Sequence, residues 1–306
     1  MNLPPRPEPP SGYRGRFAPT PSGPLHLGSL LTALASWLDA RAAQGRWLLR
    51  IDDLDRARCP PGASDLILRQ LEAHGLYWDE SPRWQSEHVE EYQQAFAELE
   101  RRGHTYACYC TRALLAVESR AGPDGPVYSG RCRLIGARPE AVAASSRLRL
   151  EPEALELVDP IQGTLRRHST RDIGDFVLRR ADGVIGYQLA CVLDEAAQGI
   201  TEVLRGADLI GSSFRQRLLQ RELGLRSPGY AHLPVLTGAD GRKLSKQNGA
   251  AALDPDQPAS NLRHCLQLLG QAEPEPGLPV EQLLLGASQR WLRSSVPPRV
   301  ALQAAS

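Results

Sequence analysis

Apolar and polar positions alternate first around Arg14 to Ala18 (RGRFA), which reads as a β-strand entering the turn-rich run Pro19-Thr20-Pro21-Ser22-Gly23-Pro24. Leu27, Leu30, Leu31, Leu34 and Leu38 then recur at helical spacing. They predict a helix from Leu25 to about Ala43, with Gly45 as its stop. Arg46 to Ile51 (RWLLRI) reads as a buried strand ending in the acidic run Asp52-Asp53-Leu54-Asp55. Strand, loop, helix and strand within so short a span form a βαβ unit, and such units build parallel sheets. Further helices are predicted near 63–74 and 87–102.

The rhythm breaks over residues 103–185. Short alternating segments at 147–150 and 176–179, a Gly/Pro stretch at 122–126 and three of the cysteines suggest an inserted α+β module. Val184 to Tyr187 is strand-like, Ile200 to Gly206 reads as a strand, and a helix is predicted around 212–223. The tail from about 258 is helical, with a Pro-rich break between Glu273 and Pro279. The predicted division is a disordered Pro-rich tail at 1–13, a catalytic first half at 14–102, the insertion at 103–185, a second half at 186–240 and a C-terminal extension at 241–306.

Composition narrows the class. The chain has 306 residues, 42% hydrophobic and 23% charged, ordinary values for a globular protein. No run of about 18 apolar residues exists, which excludes a membrane-spanning helix. The N-terminus MNLPPRPEPPSGY lacks the apolar stretch of a signal peptide, so the cytoplasm is the expected location. A net charge of +1 offers no global argument for nucleic-acid binding. Six cysteines in this length do not make a disulfide scaffold. Lysine usage is sharper. There are 34 Arg and only two Lys, and both lysines fall in Arg242-Lys243-Leu244-Ser245-Lys246. A compact ammonium on a flexible stem suits phosphate contact, whereas Arg serves as the generic cation elsewhere.

Two segments carry phosphate chemistry. Pro24-Leu25-His26-Leu27-Gly28 sits where a strand hands over to a helix, and the free N–H groups of a helix start favour an anion. His26 is expected in the first turn, and Gly28 is expected to let a ligand approach the backbone. Lys243 and Lys246 follow the turn-forming Gly238-Ala239-Asp240-Gly241, and a loop with two ammonium groups can clamp a triphosphate.

Together, P-L-H-L-G and K-L-S-K resemble the two signature motifs of class I aminoacyl-tRNA synthetases. R-F-A-P-T-P-S-G at 16–23, R-I-D-D-L-D at 50–55, Y-Q-L-A at 187–190 and I-T-E-V-L-R-G-A-D-L at 200–209 resemble the glutamyl/glutaminyl branch. The resemblance implies an α/β fold: a Rossmann-type parallel-sheet catalytic domain with an α+β zinc-bearing insertion and a short helical C-terminal extension. It implies activation of L-glutamate by ATP with Mg²⁺; a chain without an anticodon-reading domain has little means of sensing RNA before chemistry, so activation is expected not to need tRNA. His26, Lys243 and Lys246 then have catalytic roles, and His26, Gly28 and Lys246 meet ATP. Arg16, Phe17, Ala18, Pro19, Thr20, Tyr187 and Arg205 match the glutamate pocket. Asp52 matches the position that receives the substrate ammonium, where many relatives carry Glu. The plainer alternative has Asp52 capping its strand and Arg205 pairing with Asp208.

Spacing alone leaves Cys108, Cys110 and Cys132 open as free thiols or as metal ligands, since C-x-C followed by one distant Cys is not a usual zinc pattern. The set Cys108, Cys110, Tyr128 and Cys132 resembles the glutamyl-queuosine tRNA(Asp) synthetase subgroup, which implies one structural zinc held by these four residues. Cys59, Cys191 and Cys265 read as core or surface thiols. About sixty residues follow Lys246, so by this resemblance an anticodon-reading domain is expected to be missing. The implied acceptor is the queuosine in the anticodon loop of tRNA(Asp), the expected state is a monomer, and Arg131, Arg133 and Arg138 are candidate phosphate contacts. Two alternatives stay open: a truncated glutamyl-tRNA synthetase charging a 3′ end, and a non-catalytic tRNA-binding paralogue.

Overall fold

β1 (Arg14–Phe17), α1 (Leu27–Ala42) and β2 (Arg46–Ile51) form the predicted strand–helix–strand unit. The computed structural model describes residues 12–135, 144–238, 241, 243–244, 253–254 and 256–303. β1 and β2 pair in parallel, Arg14 opposite Arg46 and Phe17 opposite Leu49. Parallel neighbours need a crossover, and α1 supplies it, burying Leu30, Leu31, Leu34 and Leu38. The helix begins two residues later than the leucine spacing suggests, because the backbone of His26 is extended and caps it. α2 (Ala63–Ala73), β3 (Arg83–Trp84) and α3 (Val89–Arg101) follow, and β3 adds to the far side of β2.

The insertion contains β4 (Thr105–Cys108), α4 (Arg112–Glu118), α5 (Arg131–Ile135), β5 (Ser145–Leu148), β6 (Ala154–Asp159), β7 (Gly163–His168) and β8 (Val177–Arg179). β4, β5 and β8 make one antiparallel sheet, and β6 with β7 makes a hairpin. The strand suggested at 184–187 does not form. Ile185 makes only an isolated bridge to Arg179, and Gly186 already caps α6 (Tyr187–Ala197). β9 (Glu202–Gly206), α7 (Ile210–Glu222) and β10 (Gly229–Leu233) complete the parallel fold. After β11 (Val235–Thr237), α8 (Pro258–Leu268) and α9 (Val280–Arg290), a short β12 (Ala301–Gln303) returns to pair in parallel with β11. No periodicity marked that last strand.

The two halves meet between β1 and β9. Thr201 N–H donates to the Arg14 carbonyl at 2.9 Å, giving the side-by-side order β3-β2-β1-β9-β10. The chain winds outward in opposite directions from this seam, so the carboxyl ends of β1 and β9 flank a topological switch point. Open α/β sheets bind ligands there. One apolar core packs α1 and the sheet against α2, α8 and α9. A second joins α3, α6 and α7 to Leu148, Leu157, Phe176 and Leu178 of the insertion, so the insertion shares its apolar centre with the sheet. Among the described residues no helix is long and apolar enough to cross a membrane.

One charge interrupts the buried strand β2. Arg50 is fully buried, and its Nε lies 2.6 Å from Asp52 Oδ1. Asp194 and Glu195 of α6 approach it at 3.7 and 3.8 Å. Asp194 also accepts from Arg83 at 2.7 Å, Gln85 at 2.7 Å and Tyr92 at 2.6 Å. Removing one member of such a cluster strands the others in a low-dielectric interior. Arg50→Ala is expected to lower unfolding free energy by about 3–5 kcal/mol in urea titration. A loss below about 1 kcal/mol, the level of an exposed pair, would contradict this.

Candidate active site

A cleft of about 390 Å³ opens at the switch point. The end of β1 contributes Arg16, Phe17, Ala18, Pro19 and Thr20, the start of α1 contributes His26 and Gly28, and the end of β9 contributes Arg205. Tyr187 stands at its rim on the first turn of α6, and Lys243 closes another side. The structure thus brings together every predicted site residue outside the cysteine group except two. Asp52 does not line the cleft, and Lys246 lies outside the described residues.

His26 sits at the helix cap and not in the first turn. Its Nδ1 accepts from the N–H of Gly28 at 3.1 Å and of Ser29 at 3.3 Å. An accepting Nδ1 places the proton of the neutral ring on Nε2. The imidazole therefore consumes two N–H groups of the helix end and carries their polarity outward as one Nε2–H donor. Gly28 makes room for this ring, since a Cβ there would meet the His26 Cε1 at 3.1 Å.

Two buried arginines form the other wall. Arg16 reaches Glu195 at 3.2 Å and the Leu204 carbonyl at 3.4 Å, and its Nε has no hydrogen-bond partner among the described residues. Arg205 donates from one nitrogen to Ser213 Oγ at 2.7 Å and Gln216 Oε1 at 2.8 Å, leaving its Nε and second terminal nitrogen without one. Buried guanidinium donors left unpaired are costly, and an anionic ligand in the cleft would satisfy them. The alternative pairing of Arg205 with Asp208 is absent. Asp208 binds the Lys243 ammonium instead, and both face the cleft. Asp52 does not cap its strand but is clasped by Arg50 through both carboxylate oxygens. Burial pushes its carboxyl up, against the pull of Arg50. Cys191, read as a core or surface thiol, is buried in the core and receives a hydrogen bond from Arg50 at 3.1 Å.

In the insertion, the sulfurs of Cys108, Cys110 and Cys132 lie within 4.8 Å of one another. Cys110 Sγ is 3.5 Å from Cys132 Sγ, and the Tyr128 hydroxyl is 3.5 Å from Cys108 Sγ and 3.7 Å from Cys110 Sγ. A tetrahedron with metal–sulfur bonds of about 2.3 Å has edges of about 3.8 Å, close to these separations. The three thiols and the phenol thus have the shape and donor chemistry of a closed four-ligand metal site. Burial would raise the Cys108 thiol, but hydrogen bonds from Tyr128 and Arg147 outweigh it and hold the thiol near 7. Two of the three candidate phosphate-binding arginines are already engaged. Arg131 pairs with Glu118, and Arg133 binds Glu151 at 2.7 Å and the Leu150 carbonyl at 2.6 Å. Arg138 lies outside the described residues.

Residues 13–271 match the family described as tRNA synthetases class I (E and Q), catalytic domain. The glutamyl-Q tRNA(Asp) synthetase of Thiobacillus denitrificans is 47% identical over 290 residues, covering 94% of this chain and 96% of that protein. The chain belongs to the glutamyl-Q tRNA(Asp) synthetase family of class I ligases. Another family member, from Bordetella bronchiseptica, is 49% identical, covering 91% of this chain and 88% of its own length. A crystal structure of a glutamate tRNA ligase from Elizabethkingia meningosepticum in complex with its amino acid superposes with a TM-score of 0.79 at 25% identity. That likeness covers 96% of this chain and 67% of the ligase. A methionyl-tRNA synthetase from Mycobacterium tuberculosis, at 14% identity and a TM-score of 0.54, shares the fold.

Several residues of this site escaped sequence reasoning. Ser213, Gln216, Asp194 and Glu195 lie on helices whose spacing signals only burial, and their polar contacts arise from elements far apart in the chain. The cap, in contrast, follows from local sequence. His26→Ala is expected to lower unfolding free energy by about 1 kcal/mol, the usual cost of a lost helix cap, in a urea titration. An unchanged midpoint would show that the ring does not cap α1.

Proposed function

We propose that the chain activates L-glutamate with ATP to glutamyl-adenylate, without needing tRNA, and passes the glutamyl group to queuosine at the wobble position of tRNA(Asp). The observation that carries this is the pair of buried arginines that line the cleft and keep unmet donors. A carboxylate substrate suits them, and Arg205 is the fork for the glutamate side chain, which discriminates against neutral glutamine. Tyr187 donates a hydrogen bond from the rim. Asp52 is the carboxylate offered to the substrate ammonium, which would have to draw it out of its clasp by Arg50 towards the cleft.

In activation, a glutamate α-carboxylate oxygen attacks the α-phosphorus of ATP, the bond from that phosphorus to the α,β-bridging oxygen breaks, and pyrophosphate leaves with the electron pair. The chain's part is positioning and charge stabilisation. The Nε2–H of His26 at the start of α1 is assigned to phosphate oxygens, Lys243 brings an ammonium group to the same cleft, and Lys246 is assigned the same charge-stabilising role. Mg²⁺ bound with ATP supplies further neutralisation of phosphate charge. Transfer then joins the activated carboxyl to a hydroxyl of the cyclopentenediol of queuosine, a hydroxylated five-membered ring that stands in for a ribose, and AMP departs. Relatives named for this tRNA support the choice of acceptor. We place the enzyme in the cytoplasm, as a monomer.

ATP–pyrophosphate exchange is expected with glutamate in the absence of tRNA, and little of it with glutamine. Labelled glutamate is expected on queuosine-containing tRNA(Asp) after the 3′ ribose has been removed. Label only on an intact 3′ end, or no exchange until tRNA is added, would reject this function.

Zinc in the set Cys108, Cys110, Tyr128 and Cys132 would serve to tie β4 to α5, since four protein ligands leave no open position for water. Elemental analysis of untagged protein is expected to give about one zinc per chain, as a single closed site requires. Chelation is expected to increase proteolysis within the insertion before it lowers exchange. Metal-free protein with an equally resistant insertion would reject the site.

A further inference from the structure

Behind Arg205, residues from four elements form one hydrogen-bonded line. Arg205 ends β9, Ser213 lies on α7, His232 on β10, and Asp159 at the tip of β6 in the insertion. Arg205 reaches Ser213 Oγ at 2.7 Å, Ser213 Oγ lies 2.7 Å from His232 Nε2, and His232 Nδ1 lies 2.6 Å from Asp159 Oδ2. All four residues are buried, and the His232 and Asp159 side chains have no exposed surface.

Chemistry fixes the direction of each bond. A guanidinium can only donate, so Ser213 accepts from Arg205. An ionised carboxylate can only accept, so His232 Nδ1–H donates to Asp159. A neutral His232 then accepts at Nε2, and the Ser213 proton goes there. The competing acceptor for that proton, the Leu209 carbonyl, is 3.5 Å away. Burial pushes the His232 imidazole towards its neutral form, the Asp159 bond opposes this, and the Arg205 charge adds to it. Asp159 is itself locked by the N–H groups of Ile161 and Gln162, at 2.8 and 2.9 Å.

The line solves a problem of charge. Arg16 already has a carboxylate partner in Glu195. The side chains that bind Arg205, Ser213 and Gln216, are neutral, and its guanidinium lies over the neutral Tyr230 ring at 5.2 Å. A carboxylate placed directly on Arg205 would compete with the substrate's own. A buried guanidinium without a counter-charge would be costly. Asp159 supplies the counter-charge two neutral groups away, leaving two nitrogens of this cleft-lining guanidinium unpaired for a ligand.

We propose that Ser213, His232 and Asp159 are positioning and specificity-determining residues that hold Arg205 oriented and undischarged, so that the cleft selects a carboxylate over a carboxamide side chain. This rests on the glutamate side chain meeting Arg205, as given under Proposed function. It assigns the β6–β7 hairpin of the insertion a part in amino-acid selection, although no residue of the line but Arg205 touches substrate.

The test compares glutamate- and glutamine-dependent ATP–pyrophosphate exchange by the full chain and its variants, with thermal unfolding as a check on folding. Ser213→Ala is expected to raise the glutamate KM about tenfold, the worth of one hydrogen bond to a charged group, and to erode the preference for glutamate over glutamine in step. The ATP KM and kcat are expected to change by less than about twofold, since the lost interaction orients the bound side chain and not the reacting phosphate. His232→Gln can donate to Asp159 and accept from Ser213 through its amide, and is expected to keep the glutamate KM near that of the parent. His232→Leu is expected to behave like Ser213→Ala. Should the leucine variant fail to fold, Ser213→Ala and His232→Gln still decide. An unchanged KM and preference in Ser213→Ala, while Arg205→Ala raises the KM sharply, would overturn the relay and leave the glutamate assignment standing. His232→Gln as damaging as Ser213→Ala would overturn it too, by showing that ring volume matters and hydrogen bonding does not. An unchanged glutamate KM in Arg205→Ala would remove the glutamate assignment itself, and the relay with it.

Discussion

A single buried guanidinium on the second strand sets the architecture around the cleft. Arg50 cannot shed its charge, so carboxylates must come to it, and they come from the end of its own strand and from α6. Asp194 and Glu195 thereby fix the angle at which α6 crosses the sheet. Tyr187 on the first turn of that helix inherits its place at the rim. Glu195 also binds Arg16, so the position of one cleft arginine depends on another arginine that never reaches the cleft. Ion clusters of this kind are poor sources of net stability, yet breaking one is expensive. Their effect here is to exclude other arrangements of β1, β2 and α6.

The two cleft arginines are supported in opposite ways. Arg16 is held by a carboxylate and a backbone carbonyl, Arg205 by a hydroxyl and an amide. Equal in sequence, they differ in how much of their charge remains for a ligand. At the start of α1, His26 does the corresponding work with dipoles, its Nδ1 taking up two helix N–H groups. The cleft therefore combines full charges on its arginines with a capped helix end.

Much of the fold was readable because it is local. The leucine spacing of α1, the apolar run of β2 and the blocks around residues 16–23 and 200–209 each report their own segment, and those blocks converge on one cleft. What escaped is what depends on distant partners. Arg50 sits in an apolar run, where nothing adjacent shows that it is buried or that α6 will neutralise it. The clasp of Asp52 by Arg50 is the exception, a local contact between positions i and i+2 that strand alternation puts on one side and that the sequence reading passed over. The apparent strand at 184–187 had the right residues, but Gly186 and a free helical turn made a cap cheaper than an unpaired edge. β12 has only three residues and pairs with a strand far behind it in the chain, so no periodicity announced it.

The seam between β1 and β9 has a consequence for how the protein comes into being on the ribosome. Arg14 bonds to Thr201, a partner 187 positions later, and the two walls of the cleft belong to those two strands. The N-terminal βαβ unit leaves the exit tunnel with Arg16 and the His26 cap already made and the Arg205 wall still unmade. β1 must wait with one edge unpaired while the insertion is synthesised, and non-local pairing of this kind is slow. An early-folded half that offers an open parallel edge is a site for mispairing or chaperone capture, so the yield of active protein should be governed more by synthesis rate and temperature than by the stability of the finished fold.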